Sequence, residues 1–154
     1  NNNWFEVKCK YTRQFEDGRL KRVTEPYLID ATSFTEAESR AFEEVAEGIR
    51  GEFLITAIKR ENFHDIFAYD DAEDWYKCVI EYSSEDGDTG KEKKVKNNFL
   101  VIANSVKEAN ERIQDALHSL MVSYEIISVS LTPIVEVLPY APQETKQEVL
   151  SKQE

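Results

Sequence analysis

The chain repeats itself. Trp4-Phe5-Glu6-Val7-Lys8-Cys9-Lys10-Tyr11 aligns with Trp75-Tyr76-Lys77-Cys78-Val79-Ile80-Glu81-Tyr82 at an offset of 71. Val23 to Glu38 then aligns with Val95 to Asn110 at an offset of 72, most clearly where Tyr27-Leu28-Ile29-Asp30-Ala31-Thr32-Ser33 meets Phe99-Leu100-Val101-Ile102-Ala103-Asn104-Ser105. The offset returns to 71 for Phe53 to Ile58 against Tyr124 to Val129. A period of this kind narrows the possible folds more than composition does, because both halves must adopt one local plan. The two single-residue length changes fall in a hairpin and after a helix, where insertions cost little.

Each unit reads β-β-α-β. In the first strand Phe5, Val7, Cys9 and Tyr11 share one face, opposite Glu6, Lys8 and Lys10. Its partner places Tyr76, Cys78, Ile80 and Tyr82 together. Turns follow at Asp17-Gly18 and at Gly87 to Gly90. The second strand is the apolar run Tyr27 to Ala31, repeated as Phe99 to Ala103. Ser33-Phe34-Thr35-Glu36 and Ser105-Val106-Lys107-Glu108 both fit the capping box. In it the serine hydroxyl accepts from an orphan amide and the glutamate reaches back to the serine amide. Helical stripes follow: Phe34, Ala37, Ala41, Val45 and Val106, Ala109, Ile113, Leu117, Leu120. Gly48 or Gly51 is expected to close the first helix. Third strands span Phe53 to Lys59 and Tyr124 to Ser130, with short apolar pieces after them at Phe63 to Phe67 and Ile134 to Leu138.

One thin helix covers a sheet poorly in a unit of about 70 residues. The expected fold is therefore α+β: a tandem duplication with antiparallel sheet or sheets, helices packed on one face, and the halves joined about a pseudo-twofold axis. The expected organisation is a single domain over residues 1–142, made of repeats 4–68 and 75–140, with 143–154 as a polar tail.

The 154 residues carry a formal net charge of −11, and neither half is basic. This argues against duplex DNA, whose phosphates call for a cationic face. Cys9 and Cys78, the only cysteines, form neither a disulfide framework nor a zinc set, and read as buried thiols. His64 and His118 each stand without a second ligand at metal spacing. The acidic run Asp70 to Asp74 lacks the glycine and distal glutamate of a calcium loop. No phosphate loop, dinucleotide fingerprint or nucleophile elbow occurs, so no cofactor, metal or catalytic residue is expected. No apolar run reaches a membrane span. A cytoplasmic location is expected; the chain begins at Asn1, so a removed leader stays open.

The hairpins do carry matched cations, Lys21 and Arg22 against Lys93 and Lys94, with Trp4 and Trp75 on neighbouring strands. Cations beside exposed aromatic faces suit single-stranded nucleic acid, whose bases stack on such rings.

Trp4-Phe5-Glu6-Val7-Lys8, Glu25-Pro26-Tyr27-Leu28-Ile29-Asp30-Ala31, Ser33-Phe34-Thr35-Glu36-Ala37-Glu38, Asp74-Trp75-Tyr76-Lys77, Gly90-Lys91-Glu92-Lys93-Lys94 and Tyr124-Glu125-Ile126-Ile127-Ser128-Val129-Ser130 carry a family resemblance. Over residues 4–140 the chain resembles an uncharacterised domain-of-unknown-function family of gut Bacteroidetes and their phages. The resemblance implies a small bacterial or phage protein, with replication or mobile-element genes as its expected neighbours. It implies no activity and no site residues.

The functional expectation is a non-catalytic binding or assembly module. A protein partner or a second copy would use an open sheet edge. The alternative is an accessory protein for single-stranded nucleic acid.

Overall fold

The computed structural model describes residues 3–140. In chain order it contains β1 (Trp4–Gln14), β2 (Leu20–Asp30), α1 (Phe34–Glu44), β3 (Leu54–Glu61), β4 (Asp65–Phe67), β5 (Asp74–Glu85), β6 (Glu92–Ala103), α2 (Val106–Leu117), β7 (Tyr124–Leu131) and β8 (Glu136–Leu138). The architecture is α+β, with two four-stranded sheets, β3-β1-β2-β8 and β4-β6-β5-β7. Among the described residues no helix is long and apolar enough to cross a membrane.

The chain forms two compact units, residues 3–62 with 133–140 and residues 63–132. In the first, strand alternation delivers Phe5, Val7, Cys9 and Tyr11 to one core, against Ala37, Ala41 and Val45 of α1. In the second, Tyr76, Cys78 and Ile80 meet Ala109, Ile113 and Leu117 of α2. Each large side chain removed from water in this way contributes about 1.5–3 kcal/mol. The alanines let each helix lie close to its sheet. Phe34 and Val106, expected in the stripes, are exposed at the first helical turn, although Phe34 still meets the Phe5 ring edge-on at 4.9 Å.

Both hairpins run further than hydrophobicity suggests. The β1–β2 ladder is continuous from Trp4↔Asp30 to Gln14↔Leu20, and β5–β6 from Asp74↔Ala103 to Glu85↔Glu92. Their turn-proximal halves are polar and solvated, so the ladder of main-chain bonds holds them rather than core burial. Gly18 (φ 83°) and Gly90 (φ 70°) supply the left-handed turn conformations. Each central strand carries one register shift against its other neighbour, at Lys8/Cys9 in β1–β3 and at Val79/Ile80 in β5–β7.

The caps form with one change. Ser33 Oγ accepts from Glu36 N at 3.1 Å, and Ser105 Oγ from Glu108 N at 3.0 Å. The glutamates reach one residue further back than expected, accepting from Thr32 N at 3.0 Å and Asn104 N at 2.9 Å. The first helix closes before either candidate glycine, at Val45, and runs into the 3-10 turn Ala46–Gly48.

The expectation of antiparallel sheets needs one correction: each sheet also holds a parallel pair. β4 pairs parallel with β6, through Asp65↔Phe99, Ile66↔Leu100 and Phe67↔Val101. β8 pairs parallel with β2, through Tyr27↔Glu136, Leu28↔Val137 and Ile29↔Leu138. Each short strand therefore completes the sheet of the other repeat. A parallel neighbour needs a crossover rather than a hairpin, and the chain provides it by passing from one repeat to the other.

Two arginines fasten these crossovers. Arg40 of α1 donates through Nη1 to Asp30 O at 2.5 Å and Leu138 O at 3.1 Å, and through Nη2 to Pro139 O at 3.1 Å. Its guanidinium lies over Tyr140, 5.0 Å from the ring centroid. Arg112 of α2 donates through Nη1 to Ile102 O at 2.8 Å, and through Nη2 to both carboxylate oxygens of Asp71 at 2.7 and 2.8 Å. It lies 4.0 Å above the Tyr69 ring. In both units one guanidinium ties the end of a long strand to the segment that follows the exchanged one.

Candidate functional site

Within each unit the tryptophan and the hairpin cations singled out in the sequence lie towards opposite ends of the long ladder: Trp4 pairs with Asp30 and Arg13 with Lys21, Trp75 with Ile102 and Ser84 with Lys93. Trp4 is 3% exposed and Trp75 6%, so neither indole offers a face to a base. Lys21 and Lys93 are exposed. Arg22 is engaged, its Nη2 donating to Glu52 Oε1 at 2.7 Å and its Nη1 to Glu52 O at 3.2 Å. Lys94 lies 3.7 Å from Glu81, which also faces Lys96 at 4.0 Å.

In the first unit the aromatic end of the core holds a polar network. Tyr11 and Tyr27 share a hydrogen bond at 2.9 Å, and Tyr11 Oη also donates to Glu25 Oε2 at 3.0 Å. Arg13 Nη1 donates to Glu25 Oε1 at 2.8 Å. Phe53 stacks on Tyr11 with ring centroids 6.1 Å apart. Burial raises the pKa of both phenols. Burial, with the Glu25 charge adding to it, pushes the Cys9 thiol up to about 12. In the second unit burial alone pushes Cys78 up to about 11. Neither thiol is a nucleophile near neutral pH.

The matching register positions of the second unit differ. Tyr11↔Val23, Cys9↔Glu25 and Val7↔Tyr27 correspond to Tyr82↔Val95, Ile80↔Asn97 and Cys78↔Phe99. Phe99 stands where the first unit has Tyr27 and Asn97 where it has Glu25, and among the described residues no matching side-chain network forms there. A cavity of about 420 Å³ lies there. Phe67 and Phe99 stack in its wall at 5.8 Å and 11°, and His64 meets Phe99 edge-on at 5.2 Å. His64, Asp65, Tyr82 and Asn97 supply its polar lining, while Leu120 and Val122 reach it from the loop after α2. The one-residue shortening of that loop was visible in the repeat offsets; the cavity was not.

A second concavity, about 870 Å³ and open, runs between α2 and β7. Val106, Asn110 and Gln114 form one side of it, and Tyr124, Ile126 and Ser128 the other. β7 is the last strand of its sheet, paired with β5 alone. Ile127 and Leu131 are 45% and 60% exposed on it, and Met121, just before it, is 97% exposed.

Among the described residues no three His, Cys, Asp or Glu side chains cluster in a way that would hold a metal ion. His118 Nδ1 lies 2.8 Å from Asp115 O, at the end of α2.

The model of a family described as a domain of unknown function, DUF4494, matches residues 3–140. No curated protein matches the chain, and no solved structure does.

Proposed function

Because the chain belongs to the DUF4494 family of domains of unknown function over nearly its whole length, we propose from its own geometry that it is a non-catalytic assembly module that pairs with a second copy along β7. The observation that carries this reading is the character of that edge. β7 reads Tyr-Glu-Ile-Ile-Ser-Val-Ser-Leu, with one charge and no proline. Edge strands are usually blunted by charge, proline or bulges. The corresponding outer strand of the first sheet, β3, ends in Lys59-Arg60-Glu61 and fits that pattern. β7 has one bulge, its register stepping past Ile127 opposite Val79 and Ile80, but it leaves Ile127 and Leu131 exposed and is preceded by the exposed Leu120, Met121 and Val122.

In the antiparallel register that sets Tyr124 against Leu131 of the copy, Glu125 faces Ser130 and no like charges meet. The formal charge of −11 opposes self-association in general, and β7, with one charged residue, is an edge where that repulsion is locally low. The engaged tyrosines and the protonated buried thiols support a non-catalytic role. The matched ladders, bulges and capping serines support the further reading that the chain arose by tandem duplication. A cytoplasmic bacterial or phage setting belongs to the same proposal, on the strength of the family resemblance. The nucleic-acid reading keeps its hairpin cations but has lost both tryptophans as stacking faces.

Light scattering at high micromolar concentration tests the proposal. The wild-type chain should be a dimer. Ile127→Lys should be a monomer with an unchanged circular dichroism spectrum. A wild-type chain that stays strictly monomeric sinks the idea.

A further inference from the structure

We propose that the 420 Å³ cavity of the second unit binds a flat, uncharged heteroaromatic molecule with a hydrogen-bond donor and acceptor side by side on one edge, as on a purine. The volume lies within the range of small-molecule sites, roughly 300–1,000 Å³. Its wall is largely aromatic and aliphatic, with Phe67, Phe99, Ile80 and Leu117 facing inward. Such a lining favours a ring over a flexible polar chain.

The polar lining narrows the class. The Asn97 amide offers one acceptor and two donors in a plane, the pattern that reads an adjacent donor and acceptor. Among the described residues neither the Asn97 side-chain amide nor the Tyr82 hydroxyl has a protein hydrogen-bond partner, while at the matching positions of the first unit the Glu25 and Tyr11 side chains bond each other. The same region of the fold is thus closed by an internal network in one unit and left open, with its polar groups available, in the other. Asp65 is the one carboxylate in the lining, and in a chain of charge −11 it opposes anionic ligands. A free base or nucleoside fits this chemistry better than a nucleotide.

The cavity shares Leu120 and Val122 with the approach to the β7 edge but does not include Ile127, so Ile127→Lys should retain binding. Adenine is the probe, followed by amide chemical shifts of the labelled chain and by thermal unfolding. Indole, a ring with a donor but no acceptor, and benzoate, an anion, are the comparisons. Adenine at millimolar concentration should shift the amides around Asn97–Phe99 and Leu117–Val122 and raise the melting temperature. Asn97→Leu should weaken binding by about tenfold, the loss expected for one bidentate pair. Ala116→Leu, which fills the cavity, and Leu120→Trp, which obstructs its rim, should each abolish the shifts. The proposal is overturned if adenine shifts nothing in the wild-type chain. It is also overturned if indole or benzoate binds as well as adenine, or if both cavity-blocking variants still bind.

Discussion

Cys9 and Cys78 each tie a proton to the folded state. In the unfolded chain a thiol titrates near pH 9, whereas in the folded units burial raises these two to about 12 and about 11. Below about pH 9 both states hold the protons, and stability is unaffected. Above it the unfolded chain releases them first, so stability falls as pH rises toward the folded values. The raised phenols of Tyr11 and Tyr27 act in the same direction. The urea midpoint should therefore decline between about pH 9 and about pH 11, and less steeply in the Cys9→Ala/Cys78→Ala double variant. A flat profile for the wild-type chain contradicts this account. Arg112 makes a sharper case. Its guanidinium is buried against Ile102 O and the Tyr69 ring, while its partner Asp71 is half exposed. Removing the cation strands a carbonyl and empties packing space, so Arg112→Ala should cost about 2–3 kcal/mol. Asp71→Asn should cost under about 1 kcal/mol, because the partner is solvated. Chemical denaturation of the two variants separates these outcomes.

The helices show which local signals can be read from sequence. Both capping serines were legible, because a cap depends on residues three apart and on nothing distant. Ser33→Ala and Ser105→Ala should each lower stability by about 1 kcal/mol, measurable as a shift in the denaturant midpoint. The hydroxyl of Thr32, which also donates to Glu36, limits the loss at the first cap. Glu36 and Glu108 departed from the expected geometry because the residue before each serine presents a free amide within their reach. Arg40 and Arg112 were missed, although they recur at the offset of 72 on equivalent helical positions. Nothing in a helical pattern separates such an arginine from a solvated one, because its long aliphatic stem can carry the charge into a buried carbonyl cluster. Tyr69 and Tyr140, the rings beneath the two guanidinium groups, repeat at 71 and were missed with them. The cavity beside Asn97 had no local signature. Its lining comes together only once Tyr82, Asn97 and Phe99 lie on neighbouring strands.

At the level of the whole chain, the exchange of β4 and β8 was invisible in the sequence. Three-residue strands such as Asp65–Phe67 and Glu136–Leu138 carry no periodicity that names a partner. The apolar pieces were seen, but not the sheets they join. A consequence follows for truncation. Ending the chain after Thr132 deletes β8, which is distant in sequence from β2 yet pairs with it. It also removes Leu138 and Pro139, whose carbonyls Arg40 holds. Hydrogen exchange in this truncated chain should accelerate in β2 and α1 of the first unit and stay close to wild type in α2 and β7. The reverse pattern, with losses centred on the adjacent β7, contradicts the pairing.

A chain whose halves each supply the other's fourth strand has a natural cleavage test built into it. Cut in the acidic stretch around Asp70, it would yield two fragments, each lacking one strand and holding a spare that fits its neighbour. Expressed together, such fragments should find one another and reassemble without a linker, as the halves of a split reporter do.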